Sequence, residues 1–154
     1  MIIYFIKNTA RKLLSFCVYP FYKIPVIILS REKKSTGSKN LLLVKLDEIG
    51  DYILFRNFIE QIRKSERFSD YRITLCGNVV WKSITDKYDS KYLDDLIWID
   101  KKKYAFNILY RYKIFKKIIN GNFETAINCS LSRSFYLDDE IIKISSARIK
   151  VCLS

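Results

Sequence analysis

The stretch Leu41-Leu42-Leu43-Val44-Lys45-Leu46-Asp47-Glu48-Ile49-Gly50-Asp51 joins an aliphatic run to a Gly-Asp turn. Four consecutive aliphatic residues predict a strand that is covered on both faces, as in parallel sheets. Gly50 is expected to permit a tight backbone turn before a helix begins. That helix is indicated by apolar residues at helical spacing, namely Ile53, Leu54, Phe58 and Ile62. Asp51 therefore falls in the first helical turn, where the helix dipole and unpaired backbone N–H groups stabilise a carboxylate.

Two roles for Asp51 follow from this position. Open α/β sheets bind ligands at the carboxyl ends of their strands, so the Asp51 carboxylate is placed to meet a ligand. Acidic residues in a first helical turn are, however, more often helix caps than catalytic groups. The spacing alone leaves both roles open.

Strands and helices alternate through the rest of the chain. Strands are predicted near 41–46, 71–76, 96–99, 124–129 and 148–152, and helices near 51–65, 79–87, 104–120 and 134–144. This order predicts an α/β fold, a Rossmann-like parallel sheet of about five strands with helices on both faces. Asn78 is expected to cap the helix that carries Trp81, and Gly121 to end a helix in the left-handed conformation. Residues 86–95 are expected to form a surface connection.

The segment Val44-Lys45-Leu46-Asp47-Glu48-Ile49-Gly50-Asp51 resembles the opening strand and turn of glycosyltransferase family 9, the ADP-heptose:lipopolysaccharide heptosyltransferases. The resemblance extends over roughly residues 40–154. It includes three later strand segments, 72–77, 96–100 and 123–128, and the polar loop 130–134. One position departs from the family, which often has a threonine four residues after the aspartate where this chain has Phe55.

The resemblance implies the N-terminal half of a GT-B fold, in which a first Rossmann-like domain binds the acceptor and a second binds the nucleotide-sugar. Asp51 matches the family's general base, which takes the proton of the acceptor hydroxyl in an inverting transfer. The implied partners are a phosphorylated glycan or lipid-linked acceptor and, only together with a C-terminal domain, a nucleotide-sugar donor. The chain alone is expected to be inactive, because the donor must be aligned with the acceptor.

The predicted acceptor site gathers residues from the ends of two strands. Its members are Lys45, Asp47, Gly50, Arg56, Ser130, Ser132 and Arg133. For Lys45 and Asp47 the alternative is an ion pair at the sheet edge, and for Ser132 it is a helix cap. At the second strand end, backbone N–H groups and an arginine can hold a phosphate.

Composition excludes several kinds of chemistry. The chain has no histidine, which excludes Ser-His-Asp and Cys-His devices as well as histidine-ligated zinc. Its four cysteines lack metal-site spacing, and Cys76, Cys129 and Cys152 are expected to be small core residues in a reducing compartment. A dinucleotide fingerprint needs three spaced glycines, whereas only Gly50 follows the first strand. No metal or cofactor is therefore predicted.

The net charge of +12 predicts an anionic partner. Residues 1–34 mix basic and aromatic residues and are predicted to be an arm at a membrane interface, followed by a polar linker at 35–40 and the domain at 41–154. A signal anchor and a helix docked on the domain are the alternatives for the arm. The predicted location is cytoplasmic, peripheral on the inner face of the cell membrane. A non-catalytic peripheral membrane module is the alternative function.

Nucleic acid ranks below membrane and glycan as a partner. Basic and aromatic residues alternate in 101–104 and 110–113, a combination that suits phosphates and bases. An amphipathic helix accounts for the same residues. In that interpretation an apolar stripe of Phe106, Leu109, Ile114 and Ile118 faces the core, and Lys101–Lys103 with the other lysines form a solvated face.

Overall fold

The computed structural model describes residues 38–131 and 137–152. Its five strands are β1 (Asn40–Lys45), β2 (Arg72–Asn78), β3 (Asp95–Ile99), β4 (Thr125–Asn128) and β5 (Ile149–Cys152). They form one parallel sheet in the order β3-β2-β1-β4-β5. The α/β, Rossmann-like fold predicted from the sequence is confirmed.

Five α-helices connect the strands in the described part of the chain. They are α1 (Ile49–Lys64), α2 (Lys82–Tyr88), α3 (Lys101–Phe106), α4 (Ile108–Asn120) and α5 (Asp138–Ile144). Short 3-10 turns at Val79–Trp81 and Ser90–Tyr92 flank α2. None of these helices is long and apolar enough to cross a membrane.

The central strand β1 explains why helices cover both faces of the sheet. Leu41 and Leu43 pack into a cluster with residues of α1 and α2, whereas Leu42 and Val44 pack into another with residues of α3, α4 and α5. All four side chains are fully buried. Because side chains alternate across a strand, a run without a polar residue must be covered on both sides.

Several predicted boundaries shift. The single helix expected at 104–120 is two helices, because the backbone of Asn107 is extended and its side chain accepts a hydrogen bond from the Tyr110 N–H to cap α4. Asn78 accepts from the Val80 N–H at 3.2 Å and caps the turn before α2, as predicted. Gly121 has a right-handed conformation, so the expectation of a left-handed stop was wrong; the positive φ falls on Asn122 instead. The helix predicted at 134–144 is described only from Asp138.

The apolar stripes of two helices differ from the expectation. On α1 the buried residues are Tyr52 and Ile59, while Leu54 and Phe58 are exposed. On the α3–α4 segment Ile114 and Ile118 are buried as predicted, but Phe106 and Leu109 are 88% and 70% exposed. Leu109 and Ile118 both lie on α4, and their spacing of nine residues places them on opposite sides of that helix, while Phe106 ends α3 before the break at Asn107.

Two cysteines behave as predicted and one does not. Cys76 and Cys129 are buried, whereas Cys152 is exposed on the outer strand β5. Cys17 and the predicted arm at 1–34 lie outside the described residues.

Candidate functional site at the carboxyl edge of the sheet

The direction in which successive strands are added to the sheet reverses between β1 and β4. From β1 the chain builds β2 and β3 on one side, and then crosses to place β4 and β5 on the other. In open α/β sheets, ligands bind outside the carboxyl ends of the strands at such a point. The residues that follow β1 and β4 are therefore the candidate site.

Asp51 lies at this edge. It occupies the first turn of α1, six residues beyond the end of β1, and its side chain is partly exposed. Glu48 precedes the helix without capping it through its side chain, so the first-turn N–H groups are not covered by that carboxylate. The helix dipole therefore acts on Asp51 at a position that solvent reaches.

Gly50 does not have the role expected for it. It lies inside the first turn of α1 instead of in a tight turn before it, and no heavy atom lies within 4 Å of an added Cβ. Neither a left-handed backbone nor packing therefore requires glycine at this position. A glycine inside a helix also lowers the stability of that helix by up to about 1 kcal/mol relative to alanine.

Lys45 and Asp47 form a buried ion pair. The Lys45 ammonium lies 2.7 Å from Asp47 Oδ2, and the two side chains are 1% and 3% exposed. The ammonium also donates to the Cys129 carbonyl at 3.0 Å and lies over the Phe55 ring. Both charged groups are buried against protein partners. In this conformation they join the segment after β1 to the segment after β4, and neither group is exposed to a ligand.

The two loops at the edge are joined by hydrogen bonds. Asp47 Oδ2 accepts from the Leu131 N–H at 2.8 Å, and Ser130 Oγ accepts from the Leu46 N–H at 3.1 Å. Ser130 Oγ also donates to Asp138 at 2.7 Å. Asp47 and Ser130, both predicted to bind the acceptor, therefore form the floor of the site.

Trp81 ties the floor to helix α1. Its indole N–H donates to the Asp47 carbonyl at 3.1 Å, and its ring stacks on Tyr52 with centroids 3.9 Å apart. An added Cβ at Gly77 would lie 2.2 Å from the Trp81 ring, so the close approach of strand and indole requires that glycine. Tyr52 is the neighbour of Asp51 in the sequence. Its packing therefore fixes the helical turn that carries the carboxylate.

Arg56 belongs to a second network that orients the same helix. Its guanidinium makes two hydrogen bonds to the Asp89 carboxylate, at 2.8 and 3.1 Å. Asp89 is buried and also accepts from the Tyr52 hydroxyl at 2.7 Å, which in turn accepts from Thr85. Burial is the main cause that raises the pKa of Tyr52 well above its ordinary value, so the phenol remains protonated.

This network was not predicted from the sequence. Residues 86–95 were expected to be a surface connection, and that was wrong for Asp89 because the side chain is buried against α1. Its partner Arg56 was predicted to contact the acceptor. The guanidinium makes its bidentate contact with Asp89, which connects α1 to the segment after α2, and the acceptor contact stays a prediction.

Burial disfavours the nucleophilic thiolate form of the two cysteines near the site. Burial raises the pKa of the Cys129 thiol to about 12, and burial likewise raises that of Cys76. Among the described residues no cluster of carboxylates and cysteines has the arrangement of a metal site. Ser132 and Arg133, the other predicted acceptor contacts, lie outside the described residues.

The fold is similar to that of a solved glycosyltransferase. The crystal structure of the glycosyl transferase family 9 from Veillonella parvula DSM 2008 superposes with a TM-score of 0.59 at 22% sequence identity. The match covers 77% of this chain and 33% of that protein, so the chain spans about a third of its length. Neither a protein-family model nor a curated protein matches the sequence. At this identity the likeness concerns the fold alone, a Rossmann-like α/β unit.

Proposed function

We propose that this chain is the acceptor-binding unit of an inverting family 9 glycosyltransferase that acts in lipopolysaccharide or cell-surface glycan synthesis. The observation that carries the proposal is the position of Asp51. A partly exposed carboxylate stands on the first turn of the helix after the central strand, at the point where the sheet reverses. The family 9 likeness of the fold supports a sugar-transfer role for that edge.

Asp51 is proposed to act as the general base. A general base must reach the proton that it removes, and a partly exposed side chain at the ligand edge meets that requirement. The rigid support of α1 by Trp81 and by the Arg56–Asp89 pair serves the same step, because misplacing a base weakens catalysis. The acceptor hydroxyl would transfer its proton to Asp51 as its oxygen attacks the anomeric carbon and the nucleotide diphosphate leaves.

Gly50 is proposed to contact the acceptor through its backbone. Neither backbone strain nor packing explains a glycine there. We propose that the missing side chain lets the acceptor approach the backbone N–H groups of the first helical turn. Those N–H groups suit a phosphorylated glycan. In the proposed arrangement Lys45, Asp47, Ser130 and Arg56 support the site, and Ser132 and Arg133 stay proposed acceptor contacts.

The proposed reaction requires a nucleotide-sugar site that the described residues do not supply. They contain no glycine-rich phosphate loop between a strand and a helix. We propose that a second nucleotide-binding unit provides the donor, with the protein peripheral on the inner face of the membrane. Heptose as the transferred sugar is the proposal that the resemblance favours.

Acceptor binding and catalysis can be tested separately. Titration with a phosphorylated lipopolysaccharide core oligosaccharide is expected to give binding, with amide shifts confined to Gly50, Asp51 and Leu131. Dephosphorylated oligosaccharide is the matched ligand control. Amide shifts at the opposite edge of the sheet, or equal affinity for both ligands, would contradict the proposed site.

The base is tested by Asp51→Asn. With nucleotide-heptose as donor the isolated chain is expected to show no turnover, and measurable turnover would refute the need for a second unit. When a donor-binding unit is supplied, Asp51→Asn is expected to lower the transfer rate by about 10²-fold or more. Acceptor affinity should change little. Glu48→Gln, which alters a neighbouring carboxylate paired with Lys101, is the matched control.

A further inference from the structure

Helices α3 and α4 expose apolar and basic side chains, and we call the surface that they form the α3–α4 face. Its apolar members are Phe106, Ile108, Leu109 and Tyr112, which are exposed by 88%, 49%, 70% and 44%. Leu109, Tyr112, Lys113 and Lys116 recur at the spacing of one helical face of α4. The core-facing side of the same helix is occupied by Ile114, Phe115, Ile118 and Ile119.

The charged residues of α3 and α4 are all basic. Residues 101–120 contain seven basic residues and no acidic residue. Lys101 and Arg111 are paired with Glu48 and Glu140. Lys102, Lys113, Lys116 and Lys117 are exposed and form no ion pair with any residue in the described ranges. The face therefore presents uncompensated positive charge around exposed apolar side chains.

We propose that the α3–α4 face docks on an anionic lipid bilayer. Apolar side chains enter the headgroup region while lysines flank them and contact anionic headgroups. The long lysine stems also cover apolar surface while their ammonium groups stay in the polar layer. This contact is separate from the proposed arm at 1–34.

Other partners fit the face less well. Protein interfaces are depleted in lysine, whereas this surface has lysines throughout its exposed side. Single-stranded nucleic acid stacks on planar groups; Phe106 and Tyr112 are planar, but Ile108 and Leu109 are not and offer bases no stacking surface. A mixture of aliphatic and aromatic side chains flanked by lysines matches a lipid surface best.

The location of the face connects it to the candidate site. Asp100 follows β3 and caps α3 by accepting from the Lys103 N–H at 3.0 Å, so α3 begins at the carboxyl edge of the sheet. Lys101 reaches Glu48, which immediately precedes α1, at 2.7 Å. Docking would bring the edge that carries Asp51 towards the bilayer. The consequence that the acceptor is lipid-linked rests on the proposed function, whereas docking itself does not.

The test uses the full chain and glycan-free vesicles of phosphatidylcholine with or without phosphatidylglycerol, so its outcome is independent of glycosyl transfer. Binding is expected only with phosphatidylglycerol. Lys113→Glu/Lys116→Glu is expected to weaken it by about 25-fold or more, at about fivefold per lysine. Phe106→Ser/Leu109→Ser is expected to weaken it by about tenfold or more. Lys82→Glu/Lys87→Glu on α2, in the opposite layer, should change it less than about twofold.

A depth measurement separates this face from the arm. Phe106→Trp and Phe58→Trp place a new indole on α4's side and on α1's side of the sheet, respectively. Brominated lipid is expected to quench the added emission of Phe106→Trp and to leave that of Phe58→Trp unchanged. Equal quenching at both positions, or unchanged vesicle affinity of both α3–α4 variants, would overturn the proposal. The proposal would also be overturned if Lys113→Glu/Lys116→Glu weakened the binding of the chain to a single-stranded oligonucleotide and left its binding to vesicles unchanged.

Discussion

Replacement of Asp47 by asparagine tests whether the floor of the candidate site depends on a buried charge pair. The substitution removes the charge but keeps an oxygen that can accept from the Leu131 N–H. The Lys45 ammonium, 1% exposed, would then retain the Cys129 carbonyl as a neutral partner but no counter-charge. Removing one partner of a buried pair typically costs about 3–5 kcal/mol, and the retained hydrogen bonds favour the lower end.

The expected result is a loss of about 3 kcal/mol in the free energy of unfolding. For a chain of this size that corresponds to a fall in Tm of roughly 6–12 °C. Urea unfolding followed by circular dichroism measures the difference.

Glu60→Gln is the matched control, because Glu60 pairs at 2.7 Å with Lys64 on the surface of α1. Exposed i,i+4 pairs contribute only about 0.3–0.5 kcal/mol, so this change should be small. If Asp47→Asn were no more destabilising than Glu60→Gln, the argument that the buried pair holds the two loops together would be wrong.

Three further outcomes are expected. Gly77→Ala should destabilise by about 1–3 kcal/mol in urea unfolding, because the new methyl overlaps the buried Trp81 ring; an unchanged midpoint would refute this close approach. Glu124→Gln should flatten the acid side of the stability profile. The hydrogen bond from Tyr71 lowers the pKa of Glu124, so its stabilisation is present above the unfolded-state pKa and disappears as pH falls through the folded value; an unaltered acid limb would count against this. Cys129 should resist iodoacetamide at pH 8 in native protein, as peptide mass mapping would show, because burial raises its pKa to about 12.

Residues 38–47 show why the fold could be predicted. The run from Leu41 to Val44 can only be accommodated where both sides of a strand are covered, and the structure buries all four residues. The cap at Asn78 could be predicted for the same reason, because the Val80 N–H that donates to its side chain lies only two residues away. Such features depend on neighbours in the sequence, so the sequence contains the information needed to predict them.

The side chains around the candidate site were harder to assign. Arg56 and Asp89 are 33 residues apart, and nothing in either local pattern indicates that they meet. The same holds for Asp47 and Leu131, which are 84 residues apart. Lys45, Asp47 and Arg56 stay predicted acceptor contacts, and the sequence did not indicate the protein partners that each of them has in the structure.

The sequence by itself determined the parallel α/β architecture, the burial of β1 and the position of Asp51 in a first helical turn, because each follows from short-range periodicity and backbone geometry. Tertiary structure alone decided that Lys45 and Asp47 pair with each other, that Arg56 contacts Asp89, and that Phe106 remains exposed. These outcomes depend on which distant groups approach a side chain. A hydrophobic pattern does not specify those groups, since it records residue types along one element and not the surface that the element meets.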